Sequence, residues 1–431
     1  MCGIFYSTIQ PKVFDTTELE KRGPDYKVNC SNELGFFYHS NLNTIPNNVS
    51  QPISNAYGTL LYNGTQFDLQ NNDTDFICQI LDNNTDHNKQ AISLLNGDYS
   101  IIWVTNSMIM LARDFGGNKP LWYGFDQDVF CASNNQLAIL QQNLQPIMVE
   151  SNTVLVFDRK DTTAKLRDVS SAKTFDLSQT VTTLDHVIDA FETAVLARYK
   201  PGTVLPMSSG MDSGCIAACL QKYNKTFLIA TRVGHEDHKI LNQRLELCQQ
   251  HQYVFNDVDI DTIKTVNRLS FSVMPPNCQT AQVGYQIASY ASSQGYRYCL
   301  SGTGADEVYS DYGWNGHKHN FHSQFGGIFP SNLSTIWPWM HNKTLPLYYC
   351  ILIEDYVYGL NGMDTRNPFL DVDLIQSWLN TVLELKNKKY KCWQQYYMTK
   401  LNFPYNTDKK TLPIPRHIRA AVYQQNKLLY K

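Results

Sequence analysis

The chain has 431 residues, 43% of them hydrophobic and 12% aromatic, enough for two buried cores and too apolar for wholesale disorder. Lys and Arg number 36 against 39 Asp and Glu, a net charge of −3, so no basic excess calls for a nucleic-acid partner. No apolar run reaches the roughly 18 residues that span a bilayer, and MCGIFYSTIQPK lacks the layout of a secretory signal. A cytoplasmic protein without a membrane partner is expected. The eleven cysteines agree: the number is odd and no CxxC pair occurs, as in a reducing compartment. Cys215 and Cys219 read as buried small residues on one helix face rather than as metal ligands. Asn-x-Ser/Thr sequons such as Asn48, Asn83 and Asn332 read as chance in an Asn-rich chain.

In chain order, the first 160 residues carry seven short β-branched or aromatic runs: GFFYHS, GTLLYNG, YSIIWVT, SMIMLARD, PLWYGF, DVFCASN and NTVLVFD. Turn residues separate them, which predicts stacked antiparallel sheets with few helices. From about 160 to 180 the chain turns polar and reads as a linker. DHVIDAFETAVLARYK then has helical spacing. After it, strands TVLPMSS, KTFLIATRV, YVFNDVDI and RYCLSG alternate with helices SGCIAACLQKY, EDHKILNQRLELCQQH and AQVGYQIASYASSQ. That alternation predicts a parallel sheet covered by helices, with ligands at the carboxyl ends of its strands. The last 100 residues are helical in places.

Two of those strand ends carry similar loops. Ser208-Ser209-Gly210-Met211-Asp212-Ser213 follows TVLPM, and Ser301-Gly302-Thr303-Gly304-Ala305-Asp306-Glu307 follows RYCL. Small residues and helix N-termini suit phosphate oxygens, and Asp suits Mg²⁺. The first loop alone is equally well a capped helix start. Two such loops on one sheet would bring Asp212 and Asp306 to one pyrophosphate.

At the N-terminus, Cys2 follows Met1. Removal of Met1 would leave a residue with both a thiol and an α-amine, which near neutral pH takes the thiol proton. Cys2 also reads as a small residue opening a strand, and Asn63-Gly64 as a tight turn.

Taken together these segments resemble the glutamine-hydrolysing asparagine synthetase family. SSGMDS is similar to the SGGxDS pyrophosphate loop of ATP-pyrophosphatases, and SGTGADEVYSDYG to the SGEGxDExxxGY signature of asparagine synthetases. The GMDTRNPFLD segment, Gly362–Asp371, resembles GMExRxPFLD, and Lys409-Lys410 falls where the family carries a catalytic lysine. Cys2-Gly3-Ile4, Arg22-Gly23-Pro24-Asp25, Asn63-Gly64 and Leu95-Asn96-Gly97-Asp98 resemble class II glutamine amidotransferase segments. Arg113 through Leu121 and FCAS resemble that class's structural RDxxGxKPLY and FASE.

The resemblance implies an α+β N-terminal-nucleophile αββα sandwich over residues 1–165, then an α/β doubly wound parallel-sheet ATP-pyrophosphatase domain over 180–431. It implies that Cys2 attacks glutamine, with Asn63 and Gly64 as oxyanion hole and Arg22 and Asp98 binding glutamine. It implies that Met207, Ser208, Ser209, Gly210, Asp212, Ser213, Val233, Ser301 and Gly302 bind ATP. Asp212 and Asp306 would hold Mg²⁺, Thr303 and Asp306 would face the acyl substrate, and Lys410 would stabilise charge. The expected partners are the small molecules glutamine, ATP and a carboxylic acid, by default aspartate; a homodimer is left open.

Four positions depart from the family. HSNLNTI offers His39, Ser40 and Asn41 where an Arg binds the glutamine carboxylate, and Thr65 replaces a Glu. Each lost charge-assisted bond weakens glutamine binding by about 1.5–3 kcal/mol. Ser209 replaces a Gly, which is tolerable for so small a side chain. Thr303 stands where asparagine synthetases have a Glu beside the reacting acyl group, and a hydroxyl is no base near neutral pH. Two alternatives therefore stay open: adenylation of a different carboxylate, amidated or cyclised as in β-lactam synthetases, and an ammonia-dependent enzyme whose first site is inactive.

Overall fold

A computed structural model describes residues 1–44, 49–69, 72–159, 166–269, 278–310, 313–314, 317–318, 327–341 and 346–406. The chain forms two compact units, Met1–Thr174 with Tyr358–Thr365, and Phe175–Val357 with Arg366–Lys431.

The first unit is built from two six-stranded sheets whose strand pairs are antiparallel. One has Gly3–Ser7 at its centre, flanked by Gly35–Asn41 and Phe130–Ser133. The other runs Gly58–Gln66, Gly97–Thr105, Met108–Arg113, Thr153–Asp158 in spatial order. All seven runs read from the sequence are strands, and their period-two alternation sorts side chains to two faces. Leu61, Ile102, Val104 and Leu111 meet Ile4, Tyr6 and Phe37 of the other sheet in one core. Leu60, Ile101, Trp103 and Met110 turn the opposite way, onto Ile77 and Ile92 of helices Asp73–Ile80 and Thr85–Leu94. Helices Thr17–Arg22 and Gln136–Leu140 pack on the first sheet, completing αββα layers.

The polar stretch expected to be a linker is in part a strand. Leu166–Ser171 pairs antiparallel with Thr153–Asp158, Val169 opposite Leu155. It closes an edge, where backbone hydrogen bonds hold a strand whose side chains face water, so no apolar alternation marks it.

The second unit has a parallel sheet in the order His251–Phe255, Leu228–Arg232, Thr203–Pro206, Tyr298–Leu300. In chain order this is 3-2-1-4, so the order reverses between Thr203–Pro206 and Tyr298–Leu300. That is the crevice where doubly wound sheets bind ligands. The strand expected over YVFNDVDI is displaced toward its start, because Asp259 caps helix Ile260–Arg268 by accepting from the Thr262 N–H at 2.7 Å.

Helix Asp185–Arg198 anchors the sheet through Phe191, whose ring lies 5.1 Å from Trp393 and 5.2 Å from Phe369. At its end the buried Arg198 donates to Asp371 Oδ2 at 2.6 Å, while Asp371 Oδ1 caps helix Val372–Asn380. Removing one partner of such a pair strands a buried charge, at a cost of about 3–5 kcal/mol. Asp371→Ala is therefore expected to destabilise the second unit by about that amount, read as a lower urea midpoint by fluorescence. An unchanged midpoint would mean that Arg198 is neutralised by other groups.

Candidate functional site

In the first unit, Cys2 lies just before the central strand Gly3–Ser7 and is held from several sides. Its N–H donates to Asn63 Oδ1 at 2.7 Å, and its thiol to Asn41 Oδ1 at 3.3 Å. Its carbonyl accepts from Asn134 Nδ2 at 2.6 Å and Arg22 Nε at 3.4 Å. Asn134 also accepts the Ile4 N–H at 3.0 Å, so one amide clamps the entry of this strand. The structural reading of FCAS extends to it.

Asn63 shares a face with Leu61, which places it toward the inter-sheet core. Opposite Asn63 in register is Ser100, and opposite Thr65 is Asp98, so all four side chains project from one face. Asn63 Nδ2 donates to Ser100 Oγ at 3.4 Å, and Asn118 Nδ2 donates to Asp98 Oδ1 at 2.9 Å. Gly64 is obligatory: a Cβ there would collide with the Asp98 carbonyl oxygen. The arrangement thus brings together Cys2, Asn63, Gly64, Arg22 and Asp98. Burial pushes the Cys2 thiol up, only partly countered by the N-terminal ammonium, so it is not a standing thiolate.

The residues read as structural are so. Arg113 donates to three carbonyls, of Lys119, Val149 and Gly117, at 2.9, 2.9 and 2.6 Å. Lys119 Nζ reaches Asp364 Oδ1 at 2.8 Å.

In the second unit the two loops leave adjacent parallel strands, Val204 opposite Cys299. They touch: a Cβ on Gly302 would come within 3.0 Å of Asp212 Cβ and 3.5 Å of the Ser213 nitrogen. Within the first loop, the Ser208 N–H donates to Ser213 Oγ at 3.0 Å and the Gly210 N–H to Ser208 Oγ at 3.1 Å. The Ser209 N–H and hydroxyl both donate to Glu236 Oε2, at 2.6 and 2.5 Å. Both donors of Ser209 are thus taken up by one carboxylate oxygen. Arg244, buried beneath, donates to the carbonyls of Ser208 and Gly210 and fixes the loop. The Met207 N–H donates to the Ala230 carbonyl at 2.9 Å, and Val233 opens the turn after strand Leu228–Arg232. Met207, Val233 and Gly302 therefore all sit at carboxyl ends of strands.

Asp212 and Asp306 converge on one cation, Lys391 Nζ, which contacts Asp212 Oδ1 and lies 2.8 Å from Asp306 Oδ1. Tyr390 OH donates to the same Asp306 oxygen at 2.6 Å. Burial pulls the Lys391 ammonium down, but Asp212 and Asp306 outweigh it, and the net direction is up. Among the described residues no group of three or more His, Cys, Asp or Glu forms a metal cage. Two carboxylates meeting at one point nonetheless fit Mg²⁺, which takes one or two protein carboxylates and completes its shell with phosphate oxygens and water.

Residues 51–158 match the family model described as a glutamine amidotransferase domain, and residues 183–350 match asparagine synthase. The Lotus japonicus protein named Asparagine synthetase (glutamine-hydrolyzing) 1 is 22% identical over 434 residues, 89% of this chain and 69% of that protein. A Methanocaldococcus jannaschii protein named Putative asparagine synthetase (glutamine-hydrolyzing) 1 is 22% identical over 334 residues, 70% of this chain and 59% of its own length. The chain is thus similar, in order, to a glutamine amidotransferase domain and then to an asparagine synthase domain. It spans 59% and 69% of the two curated relatives that it matches. A solved structure, glutamine phosphoribosylpyrophosphate amidotransferase from B. subtilis complexed with ADP and GMP, aligns over 90% of this chain and 97% of its own, at 12% identity and a TM-score of 0.34.

Against the family's signatures, the site residues fall into three groups. Those on strands and strand ends lie together as described. Lys410, and Lys409 beside it, lie outside the described residues. Lys391 was not singled out from the sequence, because KNKKYKCW offers several lysines and nothing local separates one from another. Its signal is three-dimensional: helix Cys392–Lys400 starts beside the crevice, and Lys391 is its N-cap.

Proposed function

We propose that this chain is a glutamine-dependent carbon–nitrogen ligase that adenylates a carboxylic acid and amidates it. The observation that carries the proposal is the meeting of Asp212 and Asp306 at the switch point of the parallel sheet, on loops that touch. An acid oxygen attacks the α-phosphorus of ATP and pyrophosphate departs, leaving an acyl-adenylate. The N–H and hydroxyl of Ser209 would hold a phosphate oxygen once Glu236 yields its place, with Ser208 and Gly210 shaping the loop through their bonds to Ser213 Oγ and Ser208 Oγ. Met207, Val233 and Gly302 would take the adenosine, and Ser213 and Ser301 complete the loops. Asp212 and Asp306 would hold Mg²⁺ when it arrives with the phosphates of ATP, the Lys391 ammonium then moving aside from the point between them. When bound, Mg²⁺ shields the charge of the departing pyrophosphate.

The nucleophile is ammonia from the first unit. In the proposed reaction Cys2, freed of Met1, attacks the glutamine amide, and its own α-amine takes the thiol proton. Asn63 and Gly64 hold the oxyanion. Asp98 binds the glutamine amine, and Arg22, close to Cys2, is the cation available near the glutamine carboxylate. No Arg follows His39, so glutamine is held with fewer charged bonds than in the family at large.

L-Aspartate is the default acceptor. Thr303 favours a second reading, a different carboxylate, because the acyl pocket lacks the family's Glu at that position. The test is pyrophosphate release with ATP, Mg²⁺ and ammonium chloride across a panel of acids. Strong turnover of L-aspartate removes the second reading, turnover of another acid alone establishes it, and no acid-dependent release rejects adenylation altogether.

A further inference from the structure

The residue at 303 has lost its carboxylate, but the place has not. Glu354, on helix Pro346–Gly359, reaches the same loop from a different part of the chain. Its Oε1 accepts from Thr303 Oγ1 at 2.7 Å and from Ser301 Oγ at 2.8 Å. The Thr303 N–H donates to Ser301 Oγ at 3.2 Å, so the three residues form one closed hydrogen-bonded set. The second carboxylate oxygen, Oε2, is buried and has no hydrogen-bond partner among the described residues. A buried carboxylate oxygen without a donor is costly and persists where something else uses it.

We infer that Glu354 is the general base of the amide-forming step, oriented by Ser301 and Thr303. The inference rests on the adenylating reading above. Ammonia attacks the acyl carbon of the adenylate, forming the C–N bond and an adduct with a positively charged nitrogen. Oε2 of Glu354 accepts one proton from that nitrogen. The adduct then collapses, the bond from carbon to the AMP oxygen breaks, and AMP leaves with its electron pair. The environment suits the task. Burial pushes the Glu354 carboxyl up to about 7 against the pull of the Thr303 and Ser301 hydroxyls, with Glu307 adding a like charge. One turn earlier on the same helix, the Cys350 thiol is pushed well up by burial and then by Glu307 and Glu354, so it stays neutral. A base poised near the working pH is the efficient one. The separation of labour follows: Thr303 positions, and Glu354 takes the proton.

The experiment uses the full chain, wild type and Glu354→Gln, with the acid that supports pyrophosphate release. Two rates are read: acid-dependent exchange of labelled pyrophosphate into ATP, which reports adenylation, and AMP release with ammonium chloride, which reports amide formation. Exchange in Glu354→Gln is expected within about threefold of wild type, with AMP release down about 10²–10⁴-fold. Hydroxylamine, whose adduct is a stronger acid, should lose distinctly less than ammonia. A merely structural role would depress exchange and both nucleophiles alike, and that result overturns the inference. Equal AMP release in wild type and variant overturns it too. Absence of acid-dependent exchange in wild type would reject the adenylating reading itself, and this inference with it.

Discussion

Cys2→Ala is expected to abolish glutamate release from L-glutamine, by about 10³-fold or more, while synthesis driven by ammonium chloride continues. The reason is local. Asn63, Asn41, Asn134 and Arg22 all hold groups of Cys2. The thiol is held up by burial, so its proton needs a base at the moment of attack. The proposed base is the α-amine of Cys2 itself, which exists only once Met1 is gone. A protein kept from losing Met1 should therefore behave like Cys2→Ala toward glutamine. Mass spectrometry of the N-terminus beside the glutamate assay checks both parts. Glutamate release by Cys2→Ala at the wild-type rate would place the nucleophile elsewhere. Loss of the ammonium-driven reaction in the same variant would mean that the substitution has damaged the fold.

Much of this was legible because two periodicities write themselves into sequence. The seven aromatic and β-branched runs are strands because each buries one or both faces, and alternation such as Leu60–Leu61–Tyr62 survives in composition. Leu166–Ser171 and Tyr26–Asn32 were not legible, since an edge strand pairs through its backbone and its exposed side chains need follow no apolar alternation. The loops at 208–213 and 301–307 stood out because small residues beside carboxylates at strand ends are a short, local pattern. Asn134 and Lys391 left no such trace. Asn134 acts on Cys2 across 132 positions of chain, and Lys391 on Asp212 across 179. Glu354 is the sharpest case. A reading of the signature alone reports a missing carboxylate at 303, whereas the fold returns one from a helix 51 positions on.

Lys391→Met is expected to expose how the adenylation crevice balances charge. In the present arrangement the Lys391 ammonium neutralises Asp212 and Asp306, and its raised pKa keeps it charged throughout the neutral range. Methionine keeps the length and packing of the stem but leaves Asp212 and Asp306 without the ammonium they share. Breaking a buried ion pair costs about 3–5 kcal/mol. At about 2–4 °C per kcal/mol for a unit of this size, the melting temperature should fall by roughly 6–20 °C. The loss should be partly reversed by millimolar Mg²⁺, because two carboxylates meeting at one point bind a divalent ion once the competing ammonium is gone. Wild type, with Lys391 in place, should gain much less from the same addition. Thermal unfolding of both proteins with and without Mg²⁺ measures this directly. A variant that melts with wild type would show that Lys391 is not what neutralises the pair. A variant that melts early and ignores Mg²⁺ would show that Asp212 and Asp306 do not form a metal site. Acid-dependent pyrophosphate release in the variant should fall with saturating Mg²⁺ present, since in the proposed reaction the ion replaces the charge on the carboxylates but not the cation of Lys391.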